Sequence, residues 1–131
     1  MTRILDAYAL VAFFEREAGY ETVKEALLAS VEKGAPLLMT SVNYAEVLHI
    51  VLRECGQSKA EDIEKTISTM PIEIVDVDRQ IAKAAAQYKV QFKLSYADCF
   101  AAALTSMKKG ELLTGDHEFD QVKNILKIRW I

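Results

Sequence analysis

Short apolar segments limit the folds that this sequence can adopt. Leu37–Met39 and Leu112–Leu113 contain no polar residue, and Ile4–Leu5 forms a similar run near the amino terminus. Continuous apolar runs of this length are typical of strands that are covered on both faces, as in parallel sheets. Parallel strands are usually joined by crossover helices. The sequence therefore favours an α/β fold if helices occur between these runs.

Helical patterns do occur between the runs. Tyr20, Val23, Leu27 and Val31 recur at helical spacing, and Gly34 ends that pattern. Further helices are predicted to begin near Val42, Ser58, Arg79 and Ser95, and further strands at Ile72–Val77, near the sheet edge, and Ile125–Ile131. We therefore predict a parallel sheet with helices on both faces.

Capping residues predict where these helices begin. Asp6, Thr40-Ser41, Asp78 and Ser95 each precede a helical pattern, and Ser58 forms a possible capping box with Glu61. The helices between Val42 and Met70 are closely spaced in sequence. We expect them to form a hairpin with a partly apolar surface that can bind a second chain.

Length and composition restrict the class of protein. A chain of 131 residues fits one domain, so we expect residues 1–131 to form a single unit. No apolar run reaches the length of a membrane span, and we expect a cytoplasmic protein that does not bind membranes. Cys55 and Cys99 are too few for a disulfide framework, and we interpret both as buried apolar side chains.

Four acidic residues lie at or near the predicted junctions between elements. They are Asp6, Glu46, Asp98 and Asp116. Each has an ordinary structural explanation, as a helix cap, a first-turn acid or a turn residue. The carboxyl ends of parallel strands lie side by side, however, so we expect these four carboxylates to share one pocket.

A pocket of this kind requires a cation or shared protons, because close carboxylates repel one another and raise one another's pKa. Oxygen ligands without sulfur or clustered imidazole favour Mg²⁺ or Mn²⁺ over zinc. Such an ion can activate water and neutralise the charge that develops on a phosphodiester. His49 and His117 are far apart in the sequence, and we interpret both as surface residues. The sequence has no GxSxG, Walker or GxGxxG motif.

The net charge of −3 is unevenly distributed. Residues 1–78 carry a net charge of −7 and residues 79–131 carry +4. Around the 116–120 segment, lysines either form a cationic rim that binds phosphates or cover solvated helix faces. The candidates for this rim are Lys89, Lys93, Lys108, Lys109 and Lys123.

The assembled residues resemble the PIN-domain family of metal-dependent nucleases, in particular the small VapC-like ribonuclease toxins of prokaryotic toxin-antitoxin pairs. The matching pieces are Leu5-Asp6-Ala7, Ala45-Glu46-Val47, Ser95-Tyr96-Ala97-Asp98 and Thr114-Gly115-Asp116-His117-Glu118-Phe119, which fits TxDxxF. These pieces follow the family's order and spacing over the whole chain. The sequence departs from the family at Tyr8, where Ser or Thr is common.

This resemblance implies a three-layer α/β/α fold with a five-stranded parallel sheet. It also implies that Asp6, Glu46, Asp98 and Asp116 hold Mg²⁺ or Mn²⁺ as catalytic residues of an endoribonuclease. A homodimer, an RNA substrate and a cognate antitoxin are further implications. We interpret Glu118 and Asp120 as solvated turn residues.

Three other functions remain open at this point. The chain can be a PIN-like binding or scaffold domain without turnover, or an RNA-processing nuclease that has no antitoxin. A Mg²⁺-dependent phosphatase is the third, although the sequence lacks its DxDx[TV] motif. Divalent-ion binding, RNA cleavage and phosphate release from small monoesters distinguish these functions.

Overall fold

Five parallel strands form the centre of the molecule, in a computed structural model that describes residues 1–131. The strands are β1 (Arg3–Leu5), β2 (Leu37–Thr40), β3 (Ile72–Val75), β4 (Glu111–Thr114) and β5 (Lys127–Trp130). Their order across the sheet is β3-β2-β1-β4-β5, and every neighbouring pair is parallel. The predicted parallel sheet is confirmed, including the edge position of β3.

Six α-helices and one short 3₁₀ helix connect the strands. They are α1 (Ala7–Phe14), α2 (Tyr20–Lys33), α3 (Ser41–Cys55), α4 (Gln57–Ser68), α5 (Arg79–Gln91), α6 (Tyr96–Met107) and the 3₁₀ helix His117–Val122. Helices α3 and α4 pack together as the predicted hairpin. No helix is both long enough and apolar enough to span a bilayer.

Two apolar cores lie on opposite faces of the sheet. Successive strand side chains point to opposite faces, so Ile4 and Leu112 enter one core while Leu5 and Leu113 enter the other. The first core includes α5 and α6, where the fully buried segment 101–103 consists of alanines that let α6 approach the sheet closely. The second core includes residues of α1 to α4. The expected three-layer α/β/α architecture is confirmed.

Side chains cap four of the helices as predicted. Asp6, Thr40, Asp78 and Ser95 each accept a hydrogen bond from a backbone N–H in the first turn that follows. The predicted capping box at Ser58 is wrong. Gly56, with φ of +88°, ends α3 and directly precedes α4, so Ser58 already lies inside the helix.

Two further predictions at the surface need correction. The last strand covers Lys127–Trp130 only, because Ile125 and Leu126 form backbone hydrogen bonds to Val122 in the turn after the 3₁₀ helix. Cys99 is buried as predicted, but Cys55 is exposed because it lies at the end of α3, next to Gly56.

Candidate metal centre

The site is built where three neighbouring strands end. Asp6 directly follows β1, and Asp116 follows β4 after Gly115. Leu5 pairs with Leu113 in the register of β1 and β4, so the two strands end at the same level. Thr40 ends β2 on the other side of β1 and caps α3, the helix that carries Glu46.

Asp6 is held in place by two hydrogen bonds. The backbone N–H of Ala9 donates to Oδ1 at 2.8 Å, and the Thr114 hydroxyl donates to Oδ2 at 2.5 Å. The Asp6 side chain has almost no contact with solvent. Burial raises the pKa of Asp6 to about 7, the two hydrogen bonds oppose this rise, and the charges of Asp116 and Glu46 add to it.

Thr114 also connects Asp6 to Asp116. Its hydroxyl oxygen accepts a hydrogen bond from the backbone N–H of Asp116 at 3.0 Å while the hydroxyl hydrogen is given to Asp6. Asp116 in turn caps the 3₁₀ helix, because its Oδ1 accepts from the backbone N–H of Glu118 at 2.9 Å. Both carboxylates are therefore oriented by the chain that surrounds them.

Asp98 enters the same pocket from α6. It is the third residue of that helix and is 6% exposed. The pKa of Asp98 is raised to about 8, chiefly by burial and also by the charges of Asp116, Asp6 and Glu46, while a hydrogen bond from Ser95 opposes this rise. A carboxyl group with this pKa holds its proton at neutral pH unless a cation is present.

Glu46 completes the set from the sixth residue of α3. Burial raises its pKa, the charge of Asp116 adds to the rise, and His49, one turn away, opposes it. The structure therefore brings all four sequence-predicted carboxylates, Asp6, Glu46, Asp98 and Asp116, within electrostatic reach of one another.

A fifth acid joins this group. Carboxylate oxygens of Asp98, Asp116 and Glu118 lie within 4.8 Å of one another, a spacing that suits ligands of one metal ion. The sequence predicted Glu118 to be a solvated turn residue, and its side chain is indeed exposed. The sequence could have indicated that Glu118 lies close to the other acids, because it follows Asp116 by two residues in the turn that Asp116 caps.

No lysine or arginine neutralises these acids. The ion pairs of the molecule are Arg3–Glu111, Lys127–Glu111, Arg53–Glu54, Arg129–Glu25 and His117–Asp120. None includes a member of the acidic group. Carboxylate oxygens without sulfur or imidazole fit Mg²⁺ or Mn²⁺, and a divalent cation would remove the repulsion that raises the pKa of Asp98.

A family model for the PIN domain matches residues 3–125. The chain belongs to the PIN domain family. No curated protein matches the sequence.

Solved structures of chains from toxin-antitoxin systems share this PIN fold. VapBC2 from Rickettsia felis, bound to a promoter DNA fragment, has a chain with a TM-score of 0.80 and 14% identity, with coverage of 99% of this chain and 98% of that chain. A toxin-antitoxin complex from Klebsiella pneumoniae gives 0.72 and 18%, with coverage of 98% and 96%. VapC20 from Mycobacterium tuberculosis, a sarcin-ricin loop cleaving toxin, gives 0.74 and 17%, with coverage of 92% and 95%.

Asn43 links two helices of this PIN domain through a contact that the sequence did not reveal. It is fully buried, accepts a hydrogen bond from the Thr40 hydroxyl and donates through Nδ2 to the carbonyl of Ala97 at 3.1 Å. This contact ties the first turn of α3 to the first turn of α6. It therefore fixes the helix that carries Glu46 relative to the helix that carries Asp98.

The predicted lysine rim is only partly present at the PIN site. Lys89 and Lys93 line a groove of about 610 Å³ together with Glu118. Lys108 and Lys109 instead follow the last turn of α6, and the adjacent Gly110 packs against Thr2 at the amino ends of the strands. Since α6 begins at the acidic site and runs away from it, these two lysines lie at the opposite end.

The histidines lie on the surface. His49 is exposed on α3. His117 stacks on Trp130 with 5.1 Å between ring centroids and lies 3.7 Å from Asp120. Neither belongs to the group of possible metal ligands formed by Asp98, Asp116 and Glu118.

Proposed function

We propose that this PIN domain, comprising residues 1–131, is a Mg²⁺- or Mn²⁺-dependent endoribonuclease that hydrolyses RNA phosphodiester bonds. The observation that carries the proposal is the convergence of Asp6, Glu46, Asp98 and Asp116 at the carboxyl end of the sheet without a lysine or arginine partner. Such a site destabilises the folded protein unless a cation or bound protons neutralise the carboxylates. We therefore assign these four residues as metal ligands and catalytic residues, with Glu118 as an additional ligand.

The protein's own groups have distinct tasks in this proposal. Asp6 is fixed by Ala9 and Thr114, so its carboxylate needs little reorganisation when a cation is bound. Asp98 carries a proton near neutral pH and gives it up as the cation binds. When bound, Mg²⁺ or Mn²⁺ supplies an activated water and neutralises charge on the phosphodiester.

We further propose that the protein is the toxin of a type II toxin-antitoxin pair and acts in the cytoplasm. The fold likeness to chains of VapBC complexes supports an antitoxin partner, and VapC20 is a loop-cleaving toxin of the same fold. A homodimer is the proposed assembly. The α3–α4 hairpin, where Leu52 is 42% exposed, is the proposed partner surface.

RNA cleavage by the purified protein tests the nuclease proposal. Labelled RNA that contains hairpins and single-stranded segments is incubated with Mg²⁺, Mn²⁺ or EDTA. We expect internal cuts with either ion and none with EDTA. The variants Asp6→Asn and Asp98→Asn should not cut, whereas Asp62→Asn, an exposed acid on α4, should cut like the wild type.

Two results would contradict the proposal. Cutting that persists in EDTA and in both site variants would show that another group carries the reaction. Normal folding without divalent-ion binding would instead favour a binding domain without turnover.

Sedimentation of the chain alone and after co-expression with the neighbouring gene product tests the dimer and the antitoxin.

A further inference from the structure

Tyr8 is an exposed aromatic residue beside the acidic site that metal binding does not use. It is the second residue of α1, two positions after Asp6, and is 47% exposed. Exposed tyrosines are common on protein surfaces, so exposure alone indicates no role. The position of the ring is the informative feature.

The Tyr8 ring packs against the backbone of Gly115. A Cβ atom added to Gly115 would lie 2.8 Å from Cζ and 2.9 Å from Cδ1 of the ring, closer than real Cβ contacts. Glycine therefore lets the ring lie directly on the backbone that joins Thr114 to Asp116. The ring is held beside Asp116 while much of its surface stays open to solvent.

Two other exposed rings at this end of the sheet are already partly covered. The ammonium group of Lys89 lies 5.5 Å from the ring centroid of Tyr96, and His117 stacks on Trp130. Tyr8 has no aromatic or cationic partner over its ring. It is therefore the exposed ring near the carboxylates that is free to stack on a ligand.

We propose that Tyr8 is a stacking platform for one nucleobase of single-stranded RNA, next to the phosphate that is cut. This inference rests on the proposed nuclease function. Unpaired bases stack on aromatic side chains, and removal of such a side chain weakens binding by roughly 5- to 150-fold per base. Paired bases are covered by their neighbours, so Tyr8 selects unpaired segments.

Steady-state cleavage of a single-stranded RNA in Mn²⁺ tests this role. We expect Tyr8→Ala to raise KM about 10-fold, near the lower end of the range for a lost stacking contact, with a smaller change in kcat. Tyr8→Phe keeps the ring and should restore the wild-type KM. Leu28→Ala, an exposed apolar position on α2, is the control for lost surface area.

A series of RNAs with one abasic nucleotide each gives the decisive result. An abasic nucleotide at one position near the cut should raise the KM of the wild type about 10-fold. The same RNA should not raise the KM of Tyr8→Ala any further. Equal KM values for the wild type and Tyr8→Ala, with intact cleavage, would overturn the stacking role alone. Absence of Mn²⁺-dependent cleavage by the wild type would overturn the proposed function and this inference together. Thermal melting of each variant shows that the fold is retained.

Discussion

Buried carboxylates at the two ends of the parallel sheet differ in whether the chain supplies a cationic partner. At the amino ends, Glu111 is 8% exposed and lies 3.4 Å from Nε of Arg3 and 3.6 Å from Nζ of Lys127. At the carboxyl ends, Asp6 and Asp98 are equally buried, yet no lysine or arginine pairs with them. One end is neutralised by the chain itself, while the other requires protons or an external cation.

This difference distinguishes an acid that stabilises the fold from one that destabilises it. Glu111 joins β1, β4 and β5, because its partners belong to the two neighbouring strands. Asp98 instead weakens the metal-free fold when it is ionised, since burial and three nearby carboxylates raise its pKa to about 8. An arrangement that costs stability without a ligand is typical of a binding or catalytic site.

The largest expected effect follows from removal of one acid at the carboxyl end. Asp98→Asn should reduce RNA cleavage by about 100-fold or more, the order of loss when a group that stabilises transition-state charge is removed. Glu111→Gln should leave cleavage close to the wild-type rate. Single-turnover kinetics with excess protein measure both. Equal reductions in RNA cleavage for the two variants would contradict the distinction between the two ends of the sheet.

The pH dependence of stability sharpens the same comparison. In the metal-free protein, the pKa values of Asp6 and Asp98 rise from 3.8 to about 7 and about 8, so the folded state binds more protons than the unfolded state above pH 4. Stability should therefore fall as the pH rises from about 4 to 8, and the melting temperature should drop by several degrees.

Divalent ions should reverse this loss of stability. Mn²⁺ binds the deprotonated acids, so it should raise the melting temperature more at pH 8 than at pH 5. Asp98→Asn removes one titrating group and should flatten the pH profile of the metal-free protein. Scanning calorimetry with and without EDTA provides the measurement. A wild-type profile that rises with pH in EDTA would contradict the raised pKa values.

Hydrogen bonds organise the carboxyl end, so their removal should disturb it. Asn43→Ala removes the acceptor of the buried Thr40 hydroxyl and the amide that donates to the Ala97 carbonyl. We expect a loss of about 1–3 kcal/mol in the free energy of unfolding, together with weaker Mn²⁺ binding because α3 and α6 are no longer tied. Urea unfolding and calorimetric titration test these two effects. Unchanged Mn²⁺ affinity would limit Asn43 to a structural role.

The smallest expected effect is at the amino end. Glu111→Gln removes the charge that holds Arg3 and Lys127, and both cations retain contact with solvent. We expect a loss of about 1 kcal/mol in stability and no change in Mn²⁺ affinity. Urea unfolding measures the first quantity and calorimetry the second. A change in Mn²⁺ affinity would show that the two ends are coupled.

The main features of the fold and the four acids were predictable because they depend on local patterns. Leu37–Met39 and Leu112–Leu113 identified buried strands, and parallel strands place their carboxyl ends together. Asp6 and Asp116 therefore meet wherever β1 and β4 are neighbours. Ser95 was predicted to cap the helix that carries Asp98, and its hydroxyl oxygen accepts a hydrogen bond from the backbone N–H of Asp98.

The errors came from features that depend on three-dimensional direction. Lys108 lies about 15 Å along the axis of α6 from Asp98, so its charge belongs to the other end of the molecule. Glu118 is exposed as predicted, but the sequence does not show that its turn brings it close to Asp98 and Asp116. Asn43 is one of several polar residues in α3, and its partner Ala97 is 54 positions away, so the sequence did not indicate their contact.

Proton release on Mn²⁺ binding tests the central claim most directly. Titration calorimetry at pH 7 in two buffers with different ionisation enthalpies gives the number of protons released per ion. With pKa values of about 7 for Asp6 and about 8 for Asp98, we expect release of between one and two protons by the wild type and about one proton less by Asp98→Asn. Mn²⁺ binding without proton release, or no Mn²⁺ binding at all, would contradict the account.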